Sequence, residues 1–148
     1  QKVEEALEDT GIKHLKKRLM STLSGGESQM AWIAMCVAQD PEIILLDEPT
    51  TYLDISYQLE VLELVRKLNR EHGLTIVMVL HDINQAIRYS DKIYMMKKSH
   101  GYKYGTAEEV FSEEAFAEVF RVKMDSLYSE HDQHTRYYQP ERSLKSNG

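Results

Sequence analysis

Residues 43–50 read Ile-Ile-Leu-Leu-Asp-Glu-Pro-Thr: four apolar side chains, two carboxylates and a proline. A short apolar run between Pro41 and Pro49 predicts a fully buried strand of a parallel sheet. Thr75–Leu80 is a second such run, rich in β-branched residues, and His81 follows it. Because chemistry gathers at the carboxyl ends of parallel strands, the residues that follow these two runs are the first candidates for a functional site.

Apolar residues at helical spacing flank both runs and predict an α/β fold with parallel strands. The helices are expected near residues 3–7, 28–39, 56–70, 83–87 and 111–120, and a pair of strands joined by a turn at 92–96 and 102–104. From Ser129 onward the chain is polar and aperiodic. We therefore expect one domain over residues 1–128, followed by a polar tail over residues 129–148.

The composition narrows the classes of protein to consider. The 148 residues are 42% hydrophobic and 28% charged, as in a globular domain with an apolar core. Eighteen Lys and Arg against 24 Asp and Glu give a net charge of −6, so no nucleic-acid partner is expected. Cys36 is the single cysteine, which excludes an internal disulfide framework. The longest apolar run, 31–38, is too short for a membrane span of about 20 residues.

Asp47 and Glu48 have the form of a Walker B segment, in which carboxylates follow a buried strand. The first carboxylate is placed to hold Mg²⁺, usually through water, and the second to orient an attacking water molecule. The alternative is that Asp-Glu-Pro simply opens a loop. His81 has a ring nitrogen that can reach a phosphate oxygen, or it is an ordinary loop histidine.

Ser24-Gly25-Gly26-Glu27 precedes an apolar helix and fits two interpretations. Ser-x-x-Glu in this position is a capping box, which satisfies free backbone donors at the start of a helix. The paired glycines also suit the close approach of a ligand to the backbone, and a helix N-terminus with a serine hydroxyl attracts anions. The two roles are compatible, because different donors can serve each.

Four motifs occur in a fixed order: residues 23–27, residues 43–50, Leu53-Asp54 and Leu80-His81-Asp82. Together they resemble the second half of an ATP-binding-cassette (ABC) ATPase domain, over roughly Val3 to Phe120. The resemblance implies the C-terminal part of an ABC-type P-loop ATPase domain, with a mostly parallel sheet flanked by helices. Residues 31–35 and 50–55 are most similar to the ATPase subunits of iron-siderophore importers, with heme and vitamin B12 importers as close relatives.

The resemblance also implies roles for individual residues. Asp47 would hold Mg²⁺, Glu48 would be the catalytic base, and His81 the switch histidine. The signature motif, which binds an ATP held by the opposite subunit, would comprise Ser24, Gly25, Gly26 and Glu27. Asp54 would lie at the seam of a homodimer with a second ABC ATPase subunit. A polytopic permease would be the other partner, with the protein peripheral on the cytoplasmic face of the membrane.

One departure from the family pattern is large. None of the seven glycines is followed by lysine, so residues 1–148 contain no Walker A loop, whose pattern is Gly-x-x-x-x-Gly-Lys-[Ser/Thr]. We therefore expect an N-terminal Walker A half as a partner, an open edge on the strands at Ile43 and Thr75, and little activity of the chain alone. Ser28 and Met30 also replace basic residues that are usual beside Gln29.

Two other functions remain open. The chain can be a non-catalytic binding or regulatory fragment, which the missing Walker A loop favours. It can also belong to an ABC-type ATPase without a transporter, as in translation or DNA repair. The acidic charge and the residues at 31–35 argue against the latter.

Overall fold

The computed structural model describes residues 1–128 and 136–144. The chain divides into two compact units, Gln1–His81 and Asp82–Gly148, here called the first and second units. Among the described residues, no helix has both the length and the hydrophobicity needed for a membrane span.

The first unit holds the two strands predicted from the apolar runs. Its helices and strands are α1 (Lys2–Asp9), α2 (Gly25–Val37), β1 (Ile43–Asp47), α3 (Ile55–His72) and β2 (Thr75–Val79), with 3₁₀ turns at Lys13–Leu15 and Met20–Thr22. β1 and β2 pair in parallel, with Ile43 opposite Thr75 and Asp47 opposite Val79. The predicted parallel pairing is confirmed, and α3 provides the crossover that parallel strands require.

The core of the first unit lies between the sheet and two helices. Its buried residues come from α2, β1 and α3: Ile33, Ile44, Leu46, Val61, Leu64, Val65 and Leu68. The α3 members recur at helical spacing, so one stripe of that helix faces the sheet. Gly73, with φ +66°, ends the helix in the left-handed conformation that glycine adopts without strain.

The two strands are buried on one face only. Ile43 and Leu45 are 57% and 75% exposed, and Val77 and Val79 are 53% and 48% exposed, whereas Ile44 is buried. The prediction of fully buried strands is therefore wrong for this face of the sheet. The physical reason is that the core cluster, with α2 and α3, covers one side, and an uninterrupted apolar sequence does not reveal which face has a covering layer.

The second unit is built on antiparallel strands. Its elements are α4 (Ile83–Tyr89), β3 (Ile93–Lys97), β4 (His100–Gly105), α5 (Ala107–Val110), α6 (Glu113–Ala115), a π-helical turn (Phe116–Phe120), β5 (Val122–Tyr128) and β6 (Arg136–Ser143). β3 pairs with β4, as the predicted strand pair required, and β5 pairs with β6. Only antiparallel neighbours can be joined by a connection as short as the one between Lys97 of β3 and His100 of β4. Parallel pairing among the described strands is thus confined to β1 and β2.

An aromatic cluster forms the core of the second unit. Phe116 is fully buried, and its ring centroid lies 5.5 Å from that of Phe111 and 4.7 Å from that of Tyr138. Four further buried residues complete this cluster: Met95 of β3, Val110 of α5, Ala115 of α6 and Met124 of β5.

The expected tail over residues 129–148 is wrong where β6 lies. Tyr138 of β6 is 9% exposed, and its backbone N–H and C=O both bond to the side-chain amide of Asn84, at 2.9 and 3.0 Å. A strand with one buried aromatic residue among polar neighbours has too weak a hydrophobic pattern to be recognised in the sequence. Residues 129–135 and 145–148 lie outside the described residues.

Candidate active site

Glu48 and His81 come together just beyond the ends of β1 and β2. Glu48 Oε1 lies 2.6 Å from His81 Nε2, which is hydrogen-bond distance. The side chains are 40% and 70% exposed, so solvent reaches both. The sequence predicted each as a candidate from its position after a strand, and the structure brings them into contact.

The parallel register explains this contact. Asp47 is opposite Val79, so Glu48 leaves β1 at the level where the chain leaves β2 toward His81. Backbone hydrogen bonds between the strands therefore set the separation of the two side chains. Asp47, the last residue of β1, is exposed at the same end of the sheet.

A tight turn follows Glu48. The backbone N–H of Thr51 donates to the Glu48 carbonyl at 3.1 Å, which closes a four-residue turn with Pro49 in its second position. Glu48 itself adopts φ +47°, an uncommon conformation for a residue with a side chain. The Thr51 hydroxyl then donates to Glu48 Oε2 at 3.1 Å. This contact was not predicted from the sequence, although Pro49 after an acidic residue, with a threonine three positions beyond that residue, was an available turn signal.

The pKa of Glu48 lies below its ordinary value. The hydrogen bond with His81 is the largest cause and that from Thr51 the second, while partial desolvation acts in the opposite direction. The carboxylate is therefore ionised near neutral pH. An ionised, solvent-accessible carboxylate accepts hydrogen bonds from water, and this is the form in which it can orient a water molecule for attack.

The Ser24 turn forms the predicted capping box. Glu27 N–H donates to Ser24 Oγ at 3.2 Å, and Ser24 N–H donates to Glu27 Oε2 at 2.7 Å. Arg18 contacts the other carboxylate oxygen of Glu27 at 3.1 Å. The Ser24 backbone bond, with help from Arg18, lowers the pKa of Glu27. Both carboxylate oxygens thus have partners within the chain.

Gly25 and Gly26 begin α2 and lie against the start of α3. A Cβ atom at Gly26 would lie 2.1 Å from Tyr57 Cδ1, whereas one at Gly25 would lie 3.8 Å from Leu53 Cδ2. The second glycine therefore has a packing role that the sequence did not reveal. Asp54 also has a structural role, because its Oδ1 accepts a hydrogen bond from Tyr57 N–H at 3.0 Å and caps α3.

The described residues contain no group of three or more His, Cys, Asp and Glu side chains that could together hold a metal ion. Mg²⁺ does not require such a group, because proteins often bind it through one or two carboxylates while water and substrate phosphates complete the shell. Asp47 fits that pattern, since it is an exposed carboxylate at the end of β1.

The chain is similar to known proteins over most of its length. The sequence model of the ABC transporter family matches residues 1–51. The petrobactin import ATP-binding protein FpuC of Bacillus anthracis is 46% identical over 146 residues, which are 99% of this chain and 53% of that protein. The ferric enterobactin transport ATP-binding protein FepC of Escherichia coli is 45% identical, over 82% of this chain and 45% of that protein. The chain spans about half the length of the curated relatives it matches.

Solved structures give the same result. A metal-chelate type ABC transporter in an inward-facing conformation superposes with a TM-score of 0.87 at 30% identity, over 95% of this chain and 56% of that chain. An ATP-binding cassette in its ADP conformation superposes with a TM-score of 0.72 at 25% identity, over 80% of this chain and 48% of that chain. The motif order, the parallel strands that carry Glu48 and His81, and these relatives lead to one conclusion: the chain belongs to the ABC transporter family and forms part of its ATP-binding domain.

Proposed function

We propose that this chain supplies the hydrolytic residues of an ATPase that drives the import of iron-siderophore or related metal chelates. The observation that carries the proposal is the contact between Glu48 and His81 at the open ends of two parallel strands. A carboxylate and an imidazole in this position suit the hydrolysis of a bound phosphoanhydride, in which a water molecule attacks the terminal phosphate.

Glu48 acts as the catalytic base in this proposal. Its lowered pKa keeps the carboxylate ionised, so it accepts a hydrogen bond from the attacking water and aligns it. His81 holds Glu48 Oε1 through Nε2 and lies where its ring can approach the terminal phosphate. Asp47 would hold Mg²⁺, and the ion would supply positive charge that neutralises the phosphates.

The Ser24 turn binds the nucleotide of an opposite subunit in this proposal. The hydroxyl oxygen of Ser24 accepts a bond from Glu27 N–H, which leaves its proton available for a phosphate oxygen. Gly25 is exposed and brings no side chain between the helix N-terminus and an anion. Gly26 supports the turn through its packing on Tyr57, and Glu27 contributes to this site by holding the turn in shape.

A second polypeptide segment must hold the nucleotide. We propose that a Walker A half provides the phosphate cradle and covers the exposed sheet face formed by Ile43, Leu45, Val77 and Val79. These four side chains are each about half exposed or more, and their burial would contribute favourable free energy of roughly 25 cal/mol per Å². Contiguous apolar surface of this kind marks a site of association.

The remaining partners are inferred from the relatives. FpuC and FepC are described as import or transport ATP-binding proteins for petrobactin and ferric enterobactin. We propose by similarity that the complete protein is a homodimer with Asp54 at its seam, and that it couples to a polytopic membrane permease. Its place is then the cytoplasmic face of the membrane, where ATP is available, and no nucleic acid takes part.

Glu48→Gln in the complete ATPase tests the base directly. The amide keeps the size of the side chain and removes its negative charge, so ATP binding is retained while hydrolysis falls by at least 100-fold. Glu42→Gln is the matched control, because Glu42 is exposed at the opposite end of β1. Turnover of the Glu48 variant at the control rate would exclude Glu48 as the base.

A non-catalytic binding fragment is the second candidate, and the missing Walker A loop favours it. A calorimetric titration of ATP, into the chain alone and into the chain with its Walker A half, together with a measurement of hydrolysis, separates the two candidate functions. We expect ATP binding and hydrolysis only in the second case. Binding without hydrolysis in the assembled protein would favour the non-catalytic role.

A further inference from the structure

Glu48 is held by two side chains, and only one of them belongs to the motifs of the proposed site. His81 Nε2 lies 2.6 Å from Oε1, and the Thr51 hydroxyl donates to Oε2 at 3.1 Å. The two partners therefore engage different oxygens of one carboxylate. A carboxylate held at one oxygen can still rotate about its terminal torsion, whereas contacts at both oxygens restrict that rotation.

The backbone makes the Thr51 contact well defined. The Thr51 N–H bonds to the Glu48 carbonyl at 3.1 Å, and the intervening Pro49 is buried. Proline restricts its own φ angle, so the turn holds Thr51 at a fixed distance from Glu48. Thr51 is half-buried, which shields its hydroxyl from competing water. The β-branched threonine also has few χ1 rotamers, so little side-chain freedom is lost when the contact forms.

We propose that Thr51 is a positioning residue for Glu48. Its hydroxyl fixes the plane of the Glu48 carboxylate, so that Oε1 of Glu48 faces His81 and the solvent beside it. This inference rests on the proposed function for its effect on hydrolysis. Its structural part, the orientation of the Glu48 side chain, is independent of any activity. Thr51 acts through Glu48, and its expected effect is on the alignment of the attacking water and not on the binding of ATP.

Thr51→Val tests the inference, since valine keeps the branched shape and lacks the hydroxyl. Thr51→Ser keeps the hydroxyl and should restore the behaviour of the original protein. Thr22→Val is the matched control, because the Thr22 hydroxyl bonds to the Leu19 carbonyl at 2.8 Å in a separate turn. All three replacements are made both in this chain and in the complete ATPase.

The first readout is the orientation of the Glu48 side chain, measured in this chain by NMR from three-bond couplings and from the nuclear Overhauser effect to the His81 ring. We expect rotamer averaging and a weakened effect in Thr51→Val, with neither change in Thr51→Ser or Thr22→Val. The second readout is steady-state kinetics of the complete ATPase. The loss of a hydrogen bond to a charged group should lower kcat about tenfold in Thr51→Val and leave KM for ATP unchanged.

The outcomes distinguish the two proposals. Three outcomes would each overturn the positioning role. They are unchanged couplings in Thr51→Val, a fall in kcat in Thr51→Ser equal to that in Thr51→Val, and a change in the KM of Thr51→Val without a change in its kcat. A complete ATPase that binds ATP but does not hydrolyse it would overturn the proposed function, while the NMR couplings would still decide whether Thr51 orients Glu48.

Discussion

Gly26→Ala, compared with Gly25→Ala, measures the packing that holds the Ser24 turn in place. A Cβ atom at Gly26 would lie 2.1 Å from Cδ1, 2.2 Å from Cγ and 2.6 Å from Cε1 of Tyr57. These atoms are close to the Tyr57 backbone, so relief requires movement of the whole ring. The same change at Gly25 meets only Leu53 Cδ2, at an ordinary contact distance of 3.8 Å.

The magnitude follows from two opposing effects. Alanine in place of glycine favours a helix by about 0.5–1 kcal/mol, and this gain applies to both adjacent positions. Overpacking costs about 1–3 kcal/mol and applies at Gly26 alone. The helix term cancels when the two variants are compared, so Gly26→Ala should be about 1–3 kcal/mol less stable than Gly25→Ala. Gly25→Ala should match or exceed the original protein.

Urea unfolding followed by tryptophan fluorescence is the appropriate assay. Trp32 is the single tryptophan, and it lies in α2, the helix that begins with both glycines. With a slope of about 1–3 kcal/mol per molar urea, the midpoints of the two variants should differ by ~1 M. Adding Tyr57→Ala should abolish that difference, because the clashing ring is gone. Equal midpoints for Gly26→Ala and Gly25→Ala would refute the packing argument.

Two further predictions concern the second unit. Phe116→Ala should destabilise this unit by about 3–5 kcal/mol, because removal of the buried ring leaves a cavity, whereas Phe120→Ala should cost much less, because Phe120 is 43% exposed. Near-UV circular dichroism checks both variants, and similar losses of stability would contradict the buried cluster. The hydrogen bond from Lys97 Nζ to Glu118 Oε1, at 2.7 Å, and then the bond from Tyr102 lower the pKa of Glu118 below its ordinary value of 4.5. Ionised Glu118 therefore contributes stability that is present above the ordinary pKa and is lost as the pH falls through the lowered pKa. Glu118→Gln should flatten the acid limb of thermal unfolding, and an unchanged limb would count against the contact.

Much of the first unit was predictable because its signals are local. The four apolar residues before Asp47 and Glu48 identify a strand and the candidate residues at its carboxyl end. The general rule for parallel sheets pointed to the residues after each strand, and two of these, Glu48 and His81, lie in contact at 2.6 Å. The capping box at Ser24 was equally local, since it depends on residues three positions apart.

Features that depend on contacts between distant segments were not predictable. The packing of Gly26 on Tyr57 depends on how α2 crosses α3, and sequence spacing carries no information about that crossing. β6 was missed because one buried residue, Tyr138, supports it, and the bonds from Asn84 join positions 54 residues apart. The exposed side of β1 and β2 was missed because apolar sequence alone does not show whether a second layer is present.

The register between β1 and β2 has a consequence for variation in length. Hydrogen bonds between the two strands, rather than the intervening segment, set how far Glu48 is from His81. Extra or missing residues near Gly73, where α3 turns into β2, should be absorbed at the surface and leave the spacing of Glu48 and His81 intact. A slip of a single residue in the pairing would instead turn every side chain of β2 to the opposite face and carry His81 about 3.3 Å along the strand. Natural relatives should therefore differ in loop length at this bend far more readily than in the number of residues from Thr75 to His81.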